Sequence, residues 1–374
     1  MSDRFRVTYH LATVDAAEAR ARACAIALEQ TVEIPRDVVP AGFIADEIVG
    51  RVETVAPEGA GFAASISYSV ESCGSELPQL LNVMFGNSSI QRGIKVTAFD
   101  AGPLAQAHRG ANFGIDGMRR LTGATGPLIV PVIKPQGSSP AQLAEIAGLC
   151  AMGGAHIIKE DHGLTNQPCA PFRERVPRIA EATAAANART GGRTLYFSCL
   201  AGHSGDLDEM AEFAVSAGVD GFLVMPGLFG FDLVKRLTQR SNPLPVMTHP
   251  SFLGPYVLSP DFGFTHGMMF GTLQRLAGAD ISVFPNVGGR FGFSADECRQ
   301  IAAACQTPEG IGKPILPSPG GGMSIERAAD MQAMYGPDAA FLLGGSLLRE
   351  GAGMGDAIAR LRARLETGPS AAQR

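Results

Sequence analysis

No apolar run in the 374-residue chain reaches about 18 residues, so no membrane-spanning helix is expected. There is no C-x-x-C pair; the seven cysteines are scattered and odd in number. That excludes a disulfide scaffold and a structural zinc site, and it points to reduced thiols in the cytoplasm. Lysine and arginine do not cluster, and a net charge of -5 leaves no basic footprint for nucleic acid. The opening MSDRFRVTYH is polar and charged, so no signal peptide is expected. What remains, 45% hydrophobic and 18% charged residues, fits a folded soluble protein. Gly 46 and Pro 25 imply many turns. The chain is too long for one ordinary core, so two domains are expected.

The first 100 residues or so carry a β-α-β-β-α-β pattern. Phe5, Val7, Tyr9 and Leu11 alternate as in a strand, and residues 16–29 are Ala-rich with helical spacing. Residues 46–56 and 61–70 form a hairpin pair through Pro57-Glu58-Gly59, followed by a helix near 77–85 and a strand at 93–100. This is the ferredoxin-like order. Residues 101–125 are a linker-like stretch, and the N-terminal α+β domain is assigned 1–125.

From residue 126 to 374 the rhythm changes. Eight short apolar runs recur, each followed by a helical stretch: 127–134, 155–159, 194–199, 220–225, 244–249, 280–285, 313–318 and 339–345. Eight βα units over about 240 residues predict an α/β TIM barrel, (β/α)8. A doubly wound sheet is the alternative, but KPQG, not G-x-G-x-x-G, follows the first run. Barrel chemistry sits at the C-terminal ends of strands. Those ends carry Lys134, the run Lys159 to His162, Ser198, His249, Asn286, Ser318, and glycines 320–322 and 344–345.

The run GGAHIIKEDHG at 153–163 is the most unusual of these ends. Lys159 and Asp161 are two apart and share a face of an extended chain. An amine is a poor magnesium ligand, but a lysine carbamylated by carbon dioxide is an anionic oxygen donor, and carbamate plus carboxylate would hold Mg2+. A Lys–Asp ion pair closing the barrel explains the same spacing. Lys134 is either an acid/base or Schiff-base group, or a snorkelling lysine. His249 is either a proton relay or a structural histidine. SPGGGMS at 318–324 and LLGGS at 342–346 follow the seventh and eighth runs, where bare backbone N–H groups of this architecture meet phosphate; two tight turns are the bland account. In NVGGRFGFS the glycines let a loop move, and Arg290 is either a lid residue for an anionic substrate or an ordinary loop arginine.

Taken together, IKP, the K-x-D strand end, the histidine of the fifth run and the paired glycines resemble the large subunit of ribulose-bisphosphate carboxylase/oxygenase and, more closely, the RuBisCO-like proteins. The resemblance spans nearly the whole chain. It implies that Lys134 matches the enolisation lysine and that Lys159 matches the carbamylated magnesium ligand. Asp161 matches a metal carboxylate, and His249 the histidine near the substrate hydroxyls. Gly321, Gly322, Gly344 and Gly345 match the backbone site for a 1-phosphate. Glu29 and Asn87 match residues that reach into the partner subunit's site, so a homodimer with shared active sites is implied.

The departures carry as much information. His162 stands where the carboxylase has a glutamate ligand, leaving it as ligand or acid/base. Gln136 replaces a second lysine, and Arg290 the flexible-loop lysine. The anchors of the second phosphate correspond to Pro250, Val283 and Gly320. A second phosphate dianion there would cost several kcal/mol (order of magnitude), so a substrate with one phosphate is expected and CO2 fixation is not. Three reactions of RuBisCO-like proteins fit. These are 1,3-isomerisation of 5-methylthioribulose 1-phosphate, which the pattern resembles most and which serves methylthioadenosine and methionine salvage, enolisation of 2,3-diketo-5-methylthiopentyl 1-phosphate, and decarboxylation of 3-oxo-isoapionate 4-phosphate. A Schiff-base aldolase and a catalytically inactive relative are the rivals.

Overall fold

The computed structural model describes residues 3–366. The N-terminal part contains β1 (Arg4–Leu11), α1 (Ala16–Glu29), β2 (Arg51–Glu58), β3 (Gly61–Ser69), α2 (Leu77–Phe85) and β4 (Ile94–Asp100). β1 lies between β3 and β4 and runs antiparallel to both. Phe5, Val7, Tyr9 and Leu11 all point to one buried face, because alternate residues of a strand share a side. Asp15 starts α1 by accepting the Ala17 N–H, as an N-cap carboxylate does. The sheet order, β4-β1-β3-β2 with a further strand beside β4, is the ferredoxin-like order with one strand added.

The added strand comes from far along the chain. β10 (Gly263–Phe264) pairs parallel with β4 at Lys95 and Val96. The Lys95 ammonium donates to the Ser259 carbonyl beside it at 2.6 Å. Gly263 has φ +92, and a methyl group there would sit 2.1 Å from the Tyr256 carbonyl oxygen. Only glycine fits that approach.

Two expectations need correction. The first strand of the hairpin begins at Arg51; residues 44–48 form a wide helical turn instead. The stretch 101–125 is more than a linker, for it holds α3 (Gly114–Thr122), ended by Gly123 in the left-handed region. Its amphipathic signal is short and interrupted by glycines, and tertiary contacts decide it. Met118 packs with Phe113 and Ile115 against the apolar interior of the barrel. The Phe113 and Gly114 N–H groups both donate to Asp280 Oδ1 at 2.8 Å, and the Val246 N–H donates to Oδ2 at 2.9 Å.

All eight predicted runs are strands of one closed parallel barrel. They are β5 (Leu128–Ile133), β6 (Ile157–Glu160), β7 (Leu195–Cys199), β8 (Gly221–Val224), β9 (Val246–Thr248), β11 (Ile281–Pro285), β12 (Leu316–Gly320) and β13 (Ala340–Leu343). The ring closes through β13 on β5 and β9 on β11. Leu128, Val130, Ile157, Phe197, Leu223, Met247, Ile281, Leu316 and Ala340 fill its interior. Period-two alternation then decides which later residue of each strand faces the mouth. No described helix is long and apolar enough to cross a membrane.

Asp280 is fully buried, and burial pushes its carboxyl up to about 6 against the pull of its three backbone donors. Asp280→Ala orphans those three N–H groups and is expected to cost about 3 to 5 kcal/mol of unfolding free energy. Asp280→Asn keeps the Oδ1 acceptor and removes a buried charge, so it should cost about half as much. Urea unfolding of the three proteins checks the order.

Candidate active site

The mouth of the barrel is built by adding two to each interior position. Lys134 follows Val132, Lys159 follows Ile157, Asp161 follows Lys159, and His249 follows Met247. The structure brings these four together with His162. Lys134 Nζ lies 3.0 Å from Asp161 Oδ2. Asp161 Oδ1 accepts the Gly163 N–H at 2.9 Å and sits 3.4 Å from His162 Nδ1. The His162 ring stacks on His249, with centroids 3.9 Å apart and planes 16° apart. His249 Nδ1 is 2.8 Å from Ser251 Oγ.

Lys159 lies deepest, 1% exposed, and its ammonium donates to the Glu160 carbonyl at 2.8 Å. Burial drives its amine down to about 8, with nearby Asp161 opposing. Burial alone would raise Asp161, but the Gly163 N–H and the Lys134 and Lys159 cations outweigh it and hold the carboxyl below its ordinary value. Burial keeps His249 well below the ordinary histidine range, assisted by Lys159, His162 and Lys134. His162 is lowered too, first by burial and then by the lysines and Arg290, despite Asp161. Both imidazoles are therefore neutral in the resting site at pH 7.

The glycines lie where the strand order places them. Gly321 and Gly322 have φ +81 and +69, and a methyl on Gly322 would lie 3.0 Å from Gly289 Cα. A methyl on Gly344 would lie 3.5 Å from Lys134 Cε. The amides of Gly321, Gly322, Gly344 and Gly345 donate no backbone hydrogen bond within the described residues. Arg327 joins the two loops over this cradle, donating to Gly322 O and Val287 O. Ser346 Oγ ties in Met323 O at 2.8 Å. Arg290 is exposed over the Phe291 ring, yet its charge is felt at His162.

Several strand-end residues turn elsewhere. Asn286 points outward, donating to the sulfurs of Met323 and Met331 and accepting from Tyr335. Ser318 donates to Ala340 O. Ser198 Oγ is buried without a partner. Glu29 and Asn87 meet each other at 2.9 Å on the N-terminal sheet unit, with no hydrogen bond to the barrel residues named above. A cavity of about 570 Å³ lies at the opposite end of the barrel, lined by Phe113, Arg120, Lys313 and Tyr335, and holds none of the predicted site residues.

Sequence reasoning missed the network behind Lys159. Glu160 and Arg175 are both wholly buried and paired, with Nε to Oε1 at 2.6 Å. Tyr196 Oη and the Cys199 N–H also donate to Glu160. Arg175 Nη1 reaches the carbonyls of Thr165 and Ala170 at 2.7 Å. It thereby fixes the loop that begins with Asp161. Alternation from Lys159 already sends Glu160 outward; nothing in the sequence names Arg175 as its partner.

Among the described residues no three His, Cys, Asp or Glu side chains converge on one point. A metal therefore fits here only if Lys159 supplies an oxygen donor. Its neutral amine is accessible near pH 8, as carbamylation by carbon dioxide requires, and Asp161 lies on the same face. With that carbamate, Asp161 and His162 complete a donor set suited to a divalent cation.

A (β/α)8 barrel preceded by an N-terminal ferredoxin-like sheet, with lysines and glycine-rich loops at the barrel mouth, matches the RuBisCO large-chain class. The ribulose bisphosphate carboxylase large-chain catalytic domain matches residues 114–292. The chain belongs to the RuBisCO-like proteins. It is 38% identical over 366 residues to ribulose bisphosphate carboxylase-like protein 1 of Rhodopseudomonas palustris, covering 97% of this chain and 98% of that one. It is 38% identical over 352 residues to 5-methylthioribulose-1-phosphate isomerase of Rhodospirillum rubrum, covering 93% and 92%. The crystal structure of a Rubisco-like protein from Rhodopseudomonas palustris superposes over 100% of both chains, with a TM-score of 0.85 and 35% identity.

Burial of Lys159 has a cost that sets a pH dependence. The folded amine gives up its proton near 8 and the unfolded one near 10.5. The unfolded chain thus binds more protons between those values, and stability rises with pH across that window. Below about 8 the full penalty applies. Lys159→Met should therefore be more stable than the parent at pH 7, by on the order of 3 kcal/mol. The gap should narrow by pH 9.5, as read from urea unfolding at both pH values.

Proposed function

We propose that the protein is a cytoplasmic, magnesium-dependent enzyme that enolises a sugar carrying a single phosphate. The reaction we assign is 1,3-isomerisation of 5-methylthioribulose 1-phosphate, a step of methionine salvage, and not CO2 fixation. One observation carries this reading: a lysine–aspartate cluster borders a glycine anion cradle, and the barrel wall next to that cradle is apolar. Val283 is buried there, and a methyl on Gly320 would lie 2.9 Å from Leu342 Cδ2 and 3.5 Å from Val283 Cγ1. A second phosphate finds no buried donor at that wall, whereas a methylthio tail finds apolar contact. Similarity over almost the full chain to a protein named for this isomerisation supports the choice.

Each residue then has a task. The free amides of Gly321, Gly322, Gly344 and Gly345 take the phosphate. Lys134, beside Gly344 and Asp161, exchanges the proton on the carbon next to the carbonyl. His249 serves the neighbouring oxygens and returns a proton across the three-carbon unit. Carbamylated Lys159, Asp161 and His162 would hold Mg2+, which supplies a Lewis acid to the carbonyl and hydroxyl oxygens. Arg290 covers the anion from its loop. Glu29 and Asn87 of a second copy complete each site in a homodimer.

Proton NMR in deuterium oxide tests the assignment, using purified protein, magnesium, bicarbonate and 5-methylthioribulose 1-phosphate. The substrate should exchange its α-proton and convert to a methylthio-pentulose 5-phosphate. Lys134→Met should slow exchange by at least about 10²-fold. Absence of exchange with magnesium and bicarbonate present sinks the proposal, and trapping by borohydride would point to a Schiff-base aldolase instead.

A further inference from the structure

We propose that Ser251 is a positioning residue that fixes His249 in the tautomer with its proton on Nε2. The mouth-facing imidazole is then always a donor toward substrate oxygen. The inference rests on the enolisation reading for its consequence, but its geometry stands apart from it.

β9 ends at Thr248, and the His249 N–H donates to Val224 O at 2.9 Å, which anchors the backbone of the ring. Two groups of Ser251 then converge on His249 Nδ1: the hydroxyl at 2.8 Å and the backbone N–H at 3.3 Å. A hydroxyl can donate or accept, so alone it leaves the tautomer open. A backbone N–H only donates. Nδ1 must therefore be an acceptor, the hydroxyl donates to it as well, and the one proton of the neutral ring sits on Nε2. The turn is built for this. Leu253 N–H closes onto Pro250 O at 3.0 Å, and Phe252 sits at φ +67, a conformation that a bulky L-residue rarely adopts. Folding back in this way returns both the amide and the hydroxyl of Ser251 to the ring. The neighbouring loop packs closely on this turn: a methyl on Gly227 would lie 2.4 Å from Ser251 O. His162 stacks on one face of the ring, which limits its rotation.

In the proposed reaction the oxygen next to the enolising carbon gains negative charge. A fixed Nε2–H donor aimed at it is a pre-organised stabiliser. The opposite tautomer would present a lone pair to that charge.

Long-range proton–nitrogen correlation of the full-length protein, labelled with 15N-histidine, reads the tautomer directly. A His249→Gln variant identifies the resonances among the seven histidines. The wild-type ring is expected to show an unprotonated Nδ1 and a protonated Nε2. Ser251→Thr should keep that pattern and keep kcat within about twofold. Ser251→Ala removes the 2.8 Å hydroxyl and leaves only the longer 3.3 Å amide contact, so the Nε2-protonated form should stay the major tautomer, the Nδ1-protonated form should become detectable, and kcat should fall about two- to fivefold with KM changed less than about twofold. A wild-type ring protonated on Nδ1 overturns the proposal. So does Ser251→Ala with both tautomer and kcat unchanged. If the tautomer and its response to Ser251→Ala are as expected but no sugar phosphate exchanges a proton, the functional reading falls and the assignment of Ser251 stands.

Discussion

The buried ion pair between Glu160 and Arg175 sets the geometry on which the site depends. Neither side chain touches solvent. Such a pair is costly to desolvate and is tolerable only when the remaining donors and acceptors are satisfied. Here they are: Glu160 also accepts from Tyr196 and Cys199, and Arg175 donates to two loop carbonyls. What the pair provides is parity. β6 has four residues, and Glu160 held outward forces Lys159 and Asp161 inward. A slip of one residue would drop a carboxylate into the barrel and push both site residues among the helices. Four short residues of strand are weak protection against that slip; a bidentate buried pair is strong protection.

Inside the barrel the balance of charge is lopsided. Lys134 and Lys159, with Arg290 above, surround one carboxylate, Asp161. Burial first, and the nearby cations second, favour the neutral form of the two imidazoles. A mouth with surplus positive charge favours a phosphate and any substrate that develops negative charge as it reacts. Burial is what drives the Lys159 amine down to about 8, and the neighbouring Lys134 adds to it. Turning that amine into a carbamate would convert a cation into an anion and bring the site closer to balance before a divalent ion enters.

The fold was legible because its two periods are clean. Phe5, Val7, Tyr9 and Leu11 alternate, and the eight apolar runs sit at even spacing, so strand identity and barrel closure follow from pattern. What escaped depends on contacts distant in sequence. α3 has a broken helical signal and is set by Asp280, more than 160 positions away. β10 is two residues long and exists because β4 offers an edge. At the site, strand ends put Lys134 and His249 at the mouth and alternation put Lys159 and Asp161 on one face, and in the structure the four lie together. The pattern gave no warning that Asn286 and Ser318 would turn to local partners, because a strand-end position fixes a direction only while the strand stays regular. Arg175 carries no motif at all.

His162 stands beside Asp161 at the mouth, and the geometry gives a physical reason for an imidazole there. A carboxylate there would stand next to Asp161 and compete with it for Lys134. An aromatic ring instead lies flat on His249 at 3.9 Å and leaves the Lys134–Asp161 pair intact. Stacking two neutral imidazoles also moves polar edges rather than a full charge to the mouth. That suits the nearby apolar wall of Val283 and Leu342. The mouth thus concentrates its charge at the Lys134–Asp161 pair and leaves the wall of Val283 and Leu342 apolar.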